Sequence, residues 1–117
     1  MQTEDILEQY TEKEKIKEIF NLLNAKNIIK TDHFKERIAE RDIPEELVDK
    51  TIPQINKIKL IDKRKHVKDI GYDLYYELSS SQTLKLCFIP LKNKTLLVNA
   101  ILRNRRWQNS IRYLDRR

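Results

Sequence analysis

His33, Arg37 and Arg41 recur at every fourth position, and four residues advance a helix by about 6 Å with little rotation. If this stretch is helical, one imidazole and two guanidiniums line a single face. Glu36 and Glu40 each precede an arginine by one residue, so simple i, i+4 pairing is not expected to neutralise the stripe. Guanidiniums holding a phosphate beside an imidazole supply what metal-free RNA cleavage needs: a group that gives or takes a proton, and cations that stabilise the charged phosphorane. The same spacing equally suits a solvated polar face with an incidental histidine.

A second constellation closes the chain: Arg103-Asn104-Arg105-Arg106-Trp107-Gln108-Asn109-Ser110-Ile111-Arg112-Tyr113, with Arg116 and Arg117 beyond it. The charge is unevenly placed. Residues 1–49 hold 8 Lys/Arg against 13 Asp/Glu (net −5), residues 50–102 hold 10 against 4 (+6), and residues 103–117 hold 6 Arg against one Asp (+5). Every base in this arm is arginine, whose planar fork matches phosphate and stacks on bases as lysine does not. Trp107 and Tyr113 interleave rings with the cations, as suits unpaired bases stacked beside a held backbone. Arg41, Arg105, Trp107, Arg112, Arg116 and Arg117 are therefore the candidate nucleic-acid contacts. The alternatives are a disordered solubilising tail, and a Trp107 that plugs the core with Ile111 and Leu114 continuing a short packed helix.

Other chemistries find little support. His33, His66 and Cys87 lack metal-ligand spacing, and neither a glycine-rich phosphate loop nor a Ser/His/Asp pattern is present. Acids in the strand-like region, such as Asp73 and Glu77, are scattered, and Ser79 to Ser81 reads as turn chemistry. No metal or cofactor is expected. The single cysteine, Cys87, sits in an apolar run, residues 84–89, and is expected to be a buried thiol. No run approaches the roughly 20 apolar residues that cross a bilayer, and the acidic N-terminus is unlike a signal peptide. A cytoplasmic protein without membrane contact is the expectation.

The elements that must position these groups follow from periodicity. A chain of 117 residues, 39% hydrophobic, supports one modest core. Thr11 and Glu14 form a capping-box pattern, and Ile16, Ile19, Phe20 and Leu23 follow at helical spacing, predicting a first helix over residues 12–25. The segment before it, with Ile6, Leu7 and Tyr10, reads as a further helical turn or a lead-in. Thr31 or Asp32 caps a second helix with Phe34, Ile38 and Ala39 as its expected buried stripe, and Pro44 opens a third that Pro53 ends. From residue 55 the period becomes two. Residues 55–62, 72–78, 84–89 and 95–102 predict strands, with Ile58 and Leu60 on the side opposite Ile55 and Ile61. The fold class is α+β: N-terminal helices on one face of an antiparallel sheet of about four strands, then a basic C-terminal arm or short helix.

The string Thr31-Asp32-His33-Phe34-Lys35-Glu36-Arg37-Ile38-Ala39-Glu40-Arg41-Asp42-Ile43-Pro44-Glu45-Glu46 resembles the His-x-x-x-Arg, Glu-Arg-x-Ile helix pair that opens certain small bacterial and archaeal domains. Those are similar to the RelE-type ribonuclease toxins and, more widely, to the fold group of barnase, EndoU and the colicin ribonucleases. Their closing Arg-x-x-Trp-like segment is matched by Arg103 to Trp107. The resemblance implies a single RelE-like domain over residues 1–117, with residues 30–113 as its core and residues 1–28 as an added N-terminal helix. It also implies a metal-independent endoribonuclease in which the 2′-hydroxyl attacks its own phosphate. His33 would be the general acid or base, Arg37 the phosphate ligand, Arg103 and Arg106 the transition-state cations, and Tyr113 a second proton-transfer group. The implied partners are RNA, in a ribosome-associated setting, and an acidic antitoxin protein docked over the basic face. Two positions depart from the pattern: Asp42 stands where glycine is usual, and Pro44 where a capping serine is usual. A non-catalytic RNA- or DNA-binding protein using the same basic surface is the main alternative, and an interaction module built on the first helix is a third reading.

Overall fold

The computed structural model describes residues 5–65 and 68–111. In chain order the elements are β1 (Asp5–Tyr10), α1 (Lys13–Asn24), β2 (Asn27–Lys30), α2 (Asp32–Glu40), α3 (Glu45–Thr51), β3 (Ile58–Lys65), β4 (Ile70–Ser79), β5 (Gln82–Pro90) and β6 (Lys94–Arg103). Short 3-10 turns at Ile55–Lys57 and Trp107–Ser110 complete them. Among the described residues, no helix is long and apolar enough to cross a membrane.

The sheet corrects the expected architecture. It has six strands in the order β1-β3-β4-β5-β6-β2, and it is mixed: β2 runs parallel to β6, and every other pairing is antiparallel. The four-strand expectation found β3 to β6, the consecutive meander, and missed the strand at each edge. Both missed strands are short segments flanking α1 whose partners lie far along the chain. Nothing local marks them. Residues 6–10, read as a helical turn or lead-in, pair instead with residues 61–64.

Helix boundaries have local causes. Thr31 caps α2, its hydroxyl accepting from the Phe34 N–H at 3.0 Å, a cap of the kind worth about 1 kcal/mol. The predicted Thr11 box does not form. Glu12 is the N-cap of α1 and makes no side-chain cap bond, because β1 keeps the chain extended through Tyr10 and the helix starts one residue later than a Thr11 cap requires. Between α2 and α3, Asp42 takes φ 53°, the left-handed region that glycine fills without cost and that Asp or Asn tolerates best among the rest. Pro44 is the N-cap of α3.

All three helices cover one face of the sheet. Ile16, Ile19 and Leu23 of α1, Phe34 and Ile38 of α2, and Val48 of α3 form one buried cluster with Ile58, Ile61, Leu74, Tyr76, Leu84, Leu86, Phe88, Leu97 and Ala100. Each such side chain contributes about 1.5–3 kcal/mol on full burial. The strand face assignment differs from simple alternation at β3. A bulge between Ile58 and Leu60 lets Ile58 and Ile61 share the helix side, while Leu60, Asp62 and Arg64 turn to the other. The register then aligns Asp73, Tyr75 and Glu77 of β4, Thr83, Lys85 and Cys87 of β5, and Asn99, Ile101 and Arg103 of β6 on that second face.

Candidate nucleic-acid interface

After β6 the chain turns back across the second face. The Thr83 hydroxyl on β5 donates to the Arg105 carbonyl at 2.8 Å, the Trp107 indole N–H donates to Glu77 Oε2 on β4 at 3.2 Å, and the Gln9 amide on β1 donates to the Ser110 carbonyl at 3.0 Å. The arm is thus a strap running from β6 toward β1, on the side away from the helices. Two of these ties use main-chain carbonyls, and the Gln82 amide on β5 adds a fourth by donating to Asn104 Oδ1 at 3.3 Å. Arg105 and Arg106 are exposed and Arg103 is half-buried. Among the described residues, no carboxylate lies within ion-pair distance of these guanidiniums. Arg112, Tyr113, Leu114, Arg116 and Arg117 lie outside the described residues, as does His66.

The strap meets the start of α1 at one end of the sheet. There a cavity of about 530 Å³ opens, lined by Thr11, Lys13, Ile16, Lys17, Ile55, Asn56, Ile58, Lys59 and Trp107. Three segments distant in sequence build it: the first turns of α1, the 3-10 turn leading into β3, and the arm. Its lining is an apolar set of isoleucines and one indole, with lysines among them. Lys13 and Lys17 stand at i, i+4 on α1, a spacing at which like charges repel by a few tenths of a kcal/mol. Neither they nor Lys59 has a carboxylate within ion-pair distance among the described residues, whereas neighbouring Lys15 pairs with Glu18 at 3.2 Å.

The stripe predicted on α2 does not join this site. His33 is exposed on the first turn of α2, in the helical layer, while Arg103 and the strap occupy the opposite face. Arg37 is held by Glu40 at 2.9 Å. The reading that the glutamates leave the stripe uncompensated is therefore corrected: an i, i+3 contact does what the absent i, i+4 contact would have done. Arg41 turns to the sheet edge, donating to Asn99 Oδ1 and to the Ala100 carbonyl, each at 2.8 Å. It stoppers the part of β6 that runs on beyond β2, where an unpaired edge would invite another strand. Of the predicted residues, the structure brings together Arg103, Arg105, Arg106 and Trp107. It leaves His33, Arg37 and Arg41 elsewhere.

Beneath the strap's face lies a buried layer of charge. Asp62, Asp73, Arg64 and Lys85 are all less than a tenth exposed. Asp62 accepts from Gln9 at 2.7 Å and from the Tyr75 hydroxyl at 2.8 Å. Asp73 holds the Arg64 guanidinium by a direct hydrogen bond and faces Lys85 Nζ at 3.6 Å, and Lys85 also lies over the Tyr75 ring at 5.6 Å. Burial raises the Asp62 carboxyl above the usual range, opposed by the Gln9 and Tyr75 hydrogen bonds. Burial, then Asp62, likewise pushes up the Tyr75 phenol, and burial, then Asp73, pushes up the Cys87 thiol. A thiol so protonated is a poor nucleophile. These paired groups form a structural lattice, and Asp73, read as a scattered acid, is its centre.

Neither the lattice nor the slot was singled out from the sequence. The lattice had a signal in β4 and β5, where Asp73, Glu77, Thr83 and Lys85 alternate with apolar residues, but none in β3, where Asp62-Lys63-Arg64-Lys65 is an unbroken charged run. For the slot the only local sign was the Lys13, Lys17 spacing. Among the described residues no group of three His, Cys, Asp or Glu side chains is placed to hold a metal ion. Compared with family models, curated proteins and solved structures, the chain matches none of them.

Proposed function

We propose that this protein binds RNA through the strap and the lysine-bearing slot beside it, without catalysing cleavage. One observation carries the reading: Trp107, from the arginine-rich arm, lines the same cavity as Lys13, Lys17 and Lys59 from α1 and β3. Cations with no carboxylate partner around an aromatic ring form the kind of surface that holds a phosphate backbone and a base together. A cytoplasmic location goes with this reading. The test is binding of a labelled single-stranded RNA measured over a range of salt. Replacing Arg103, Arg105 and Arg106 together by Gln removes up to three phosphate contacts. It should lower the slope of log K against log salt by about 2, at about 0.7 per contact on single strands. An unaltered slope refutes the arm as the contact surface.

One observation favours a second reading, the metal-independent ribonuclease with an acidic antitoxin-type partner. Asp42 adopts the left-handed conformation at the position where the similar domains carry glycine, which supports alignment of the α2–α3 pair with theirs. Incubation with RNA in EDTA scores this reading by the appearance of 2′,3′-cyclic phosphate ends and their loss in His33→Ala. Binding without such ends leaves the first reading alone.

A further inference from the structure

We infer that the slot between α1, the turn before β3 and Trp107 receives an unpaired nucleobase, so that the protein selects single-stranded over duplex nucleic acid. The inference rests on the RNA-binding reading and deepens it. Phosphates need only cations, and an exposed row of lysines and arginines would serve a duplex as well as a single strand. The slot offers something more: Ile16, Ile55, Ile58 and the Trp107 ring line a cavity of about 530 Å³, within the range of small-ligand sites. Apolar walls of this kind stay wet against a duplex, whose bases are stacked inward and whose backbone alone reaches the protein. An unpaired base brings two apolar faces and a tethered phosphate. The base fills the slot while Lys13, Lys17 and Lys59 meet the adjoining phosphates.

The indole is placed for this. Its N–H is tied to Glu77 on the second face of the sheet. An indole N–H projects from the ring edge, so this bond holds the ring without using either of its faces. Charge complementarity selects an anion over a neutral apolar ligand, since the lysines in the lining have no carboxylate partner among the described residues. A flat aromatic ring among the walls selects a base over a flexible acidic side chain.

Trp107 is the single tryptophan of the chain, so its fluorescence reports the slot directly. The full chain is titrated with a ten-nucleotide single-stranded RNA, with the same sequence as a duplex, and with an acidic peptide of Asp, Glu and Leu. The single strand should quench Trp107 and bind at least about tenfold tighter than the duplex, in keeping with the stacking of one base on one aromatic ring. Lys17→Gln with Lys59→Gln, the first exposed and the second half-buried and neither ion-paired among the described residues, should weaken single-strand binding about tenfold and leave the thermal melt unchanged. Trp107→Phe should keep the single-strand preference, and Trp107→Ala should abolish it while duplex affinity stays. Equal affinity for both RNAs without quenching overturns the base slot and leaves the RNA-binding reading standing. Failure of both RNAs to bind at low salt overturns the two together. Tighter binding and quenching by the peptide would assign the slot to a protein partner instead.

Discussion

Replacing Asp73 by Asn should cost about 3–5 kcal/mol of folding stability, the range found when one partner of a buried ion pair is removed and its counter-charge is left behind. The position is 2% exposed and Lys85 is 7% exposed. Asp73 is the one carboxylate within ion-pair distance of Lys85 among the described residues, and it also holds Arg64. The substitution changes little in volume, so a lost cavity does not confuse the result. A domain of this size has about 5–15 kcal/mol in all. With a urea slope of about 1.5 kcal/mol/M, the unfolding midpoint should fall by about 2–3 M, read by Trp107 fluorescence and circular dichroism. The second arm of the cycle is Lys85→Met. In the double variant the uncompensated ammonium is gone, and Arg64 keeps Asp62, at 3.8 Å, as a balanced pair. The double variant should recover most of the loss and come within about 1–2 kcal/mol of the original protein; Lys85→Met alone should cost little, because Asp73 keeps Arg64, so the coupling is about 2–3 kcal/mol. A single-variant cost under about 1 kcal/mol, or costs that simply add, would show that these charges are hydrated and that the second face is not a sealed layer.

Two further predictions concern the same layer. Burial raises the Asp62 carboxyl, so its contribution to stability is fully present below the usual carboxylate range and is lost as pH rises through that range to the raised folded value. Asp62→Asn, which still accepts from Gln9 and whose amide reaches the Tyr75 hydroxyl, should therefore gain in urea midpoint relative to the original protein between about pH 3 and pH 7; a pH-independent difference, or one of opposite sign, refutes the assignment. Cys87, buried and with its thiol pushed up, should resist a thiol reagent at about pH 8 in the native protein and react at once in urea; native labelling at the rate of a free thiol would contradict its placement.

How much of this was legible in the sequence depends on the range of each interaction. The helix starts at Thr31 and Pro44 and the strands β4 to β6 are written in caps, breakers and alternation, and they appear where expected; the strand read over residues 55–62 instead begins at Ile58, because residues 55–57 form a 3-10 turn. The two edge strands are not, because Ile6 and Ile28 gain β structure only from partners about 60 residues away. The bulge at β3 is likewise a product of pairing, and one unpaired residue there moves Ile58 to the other face. For the site, the arm was legible from its arginines and its Trp107. Its neighbours were not: Lys13, Lys17 and Lys59 belong to segments that only the fold apposes. His33 and Arg37 do share a helix, as their spacing implies. Which face of the sheet that helix covers is decided by Phe34 and Ile38 packing with Leu97 and Ala100, and this lay beyond reach of spacing alone.

The strap's mode of attachment separates holding from binding. A sheet covered by helices on one side has a second face that must be hydrated or roofed, and here that face carries Leu60, Asp62 and Tyr75 at 2% exposure or less. Charge cut off from water is tolerated only where its partners are fixed, so whatever crosses that face must stay in place. The described strap does so through the Arg105 and Ser110 carbonyls and the Trp107 indole N–H. No side chain of Arg103, Arg105 or Arg106 is used in an ion pair among the described residues. Arginine-to-glutamine changes leave those main-chain ties intact, so a change in salt dependence without a change in stability isolates the guanidiniums as the binding groups. Loss of stability in the same variants would mean that the cations hold the strap itself, and the arm would then be a structural roof with no surface left for RNA.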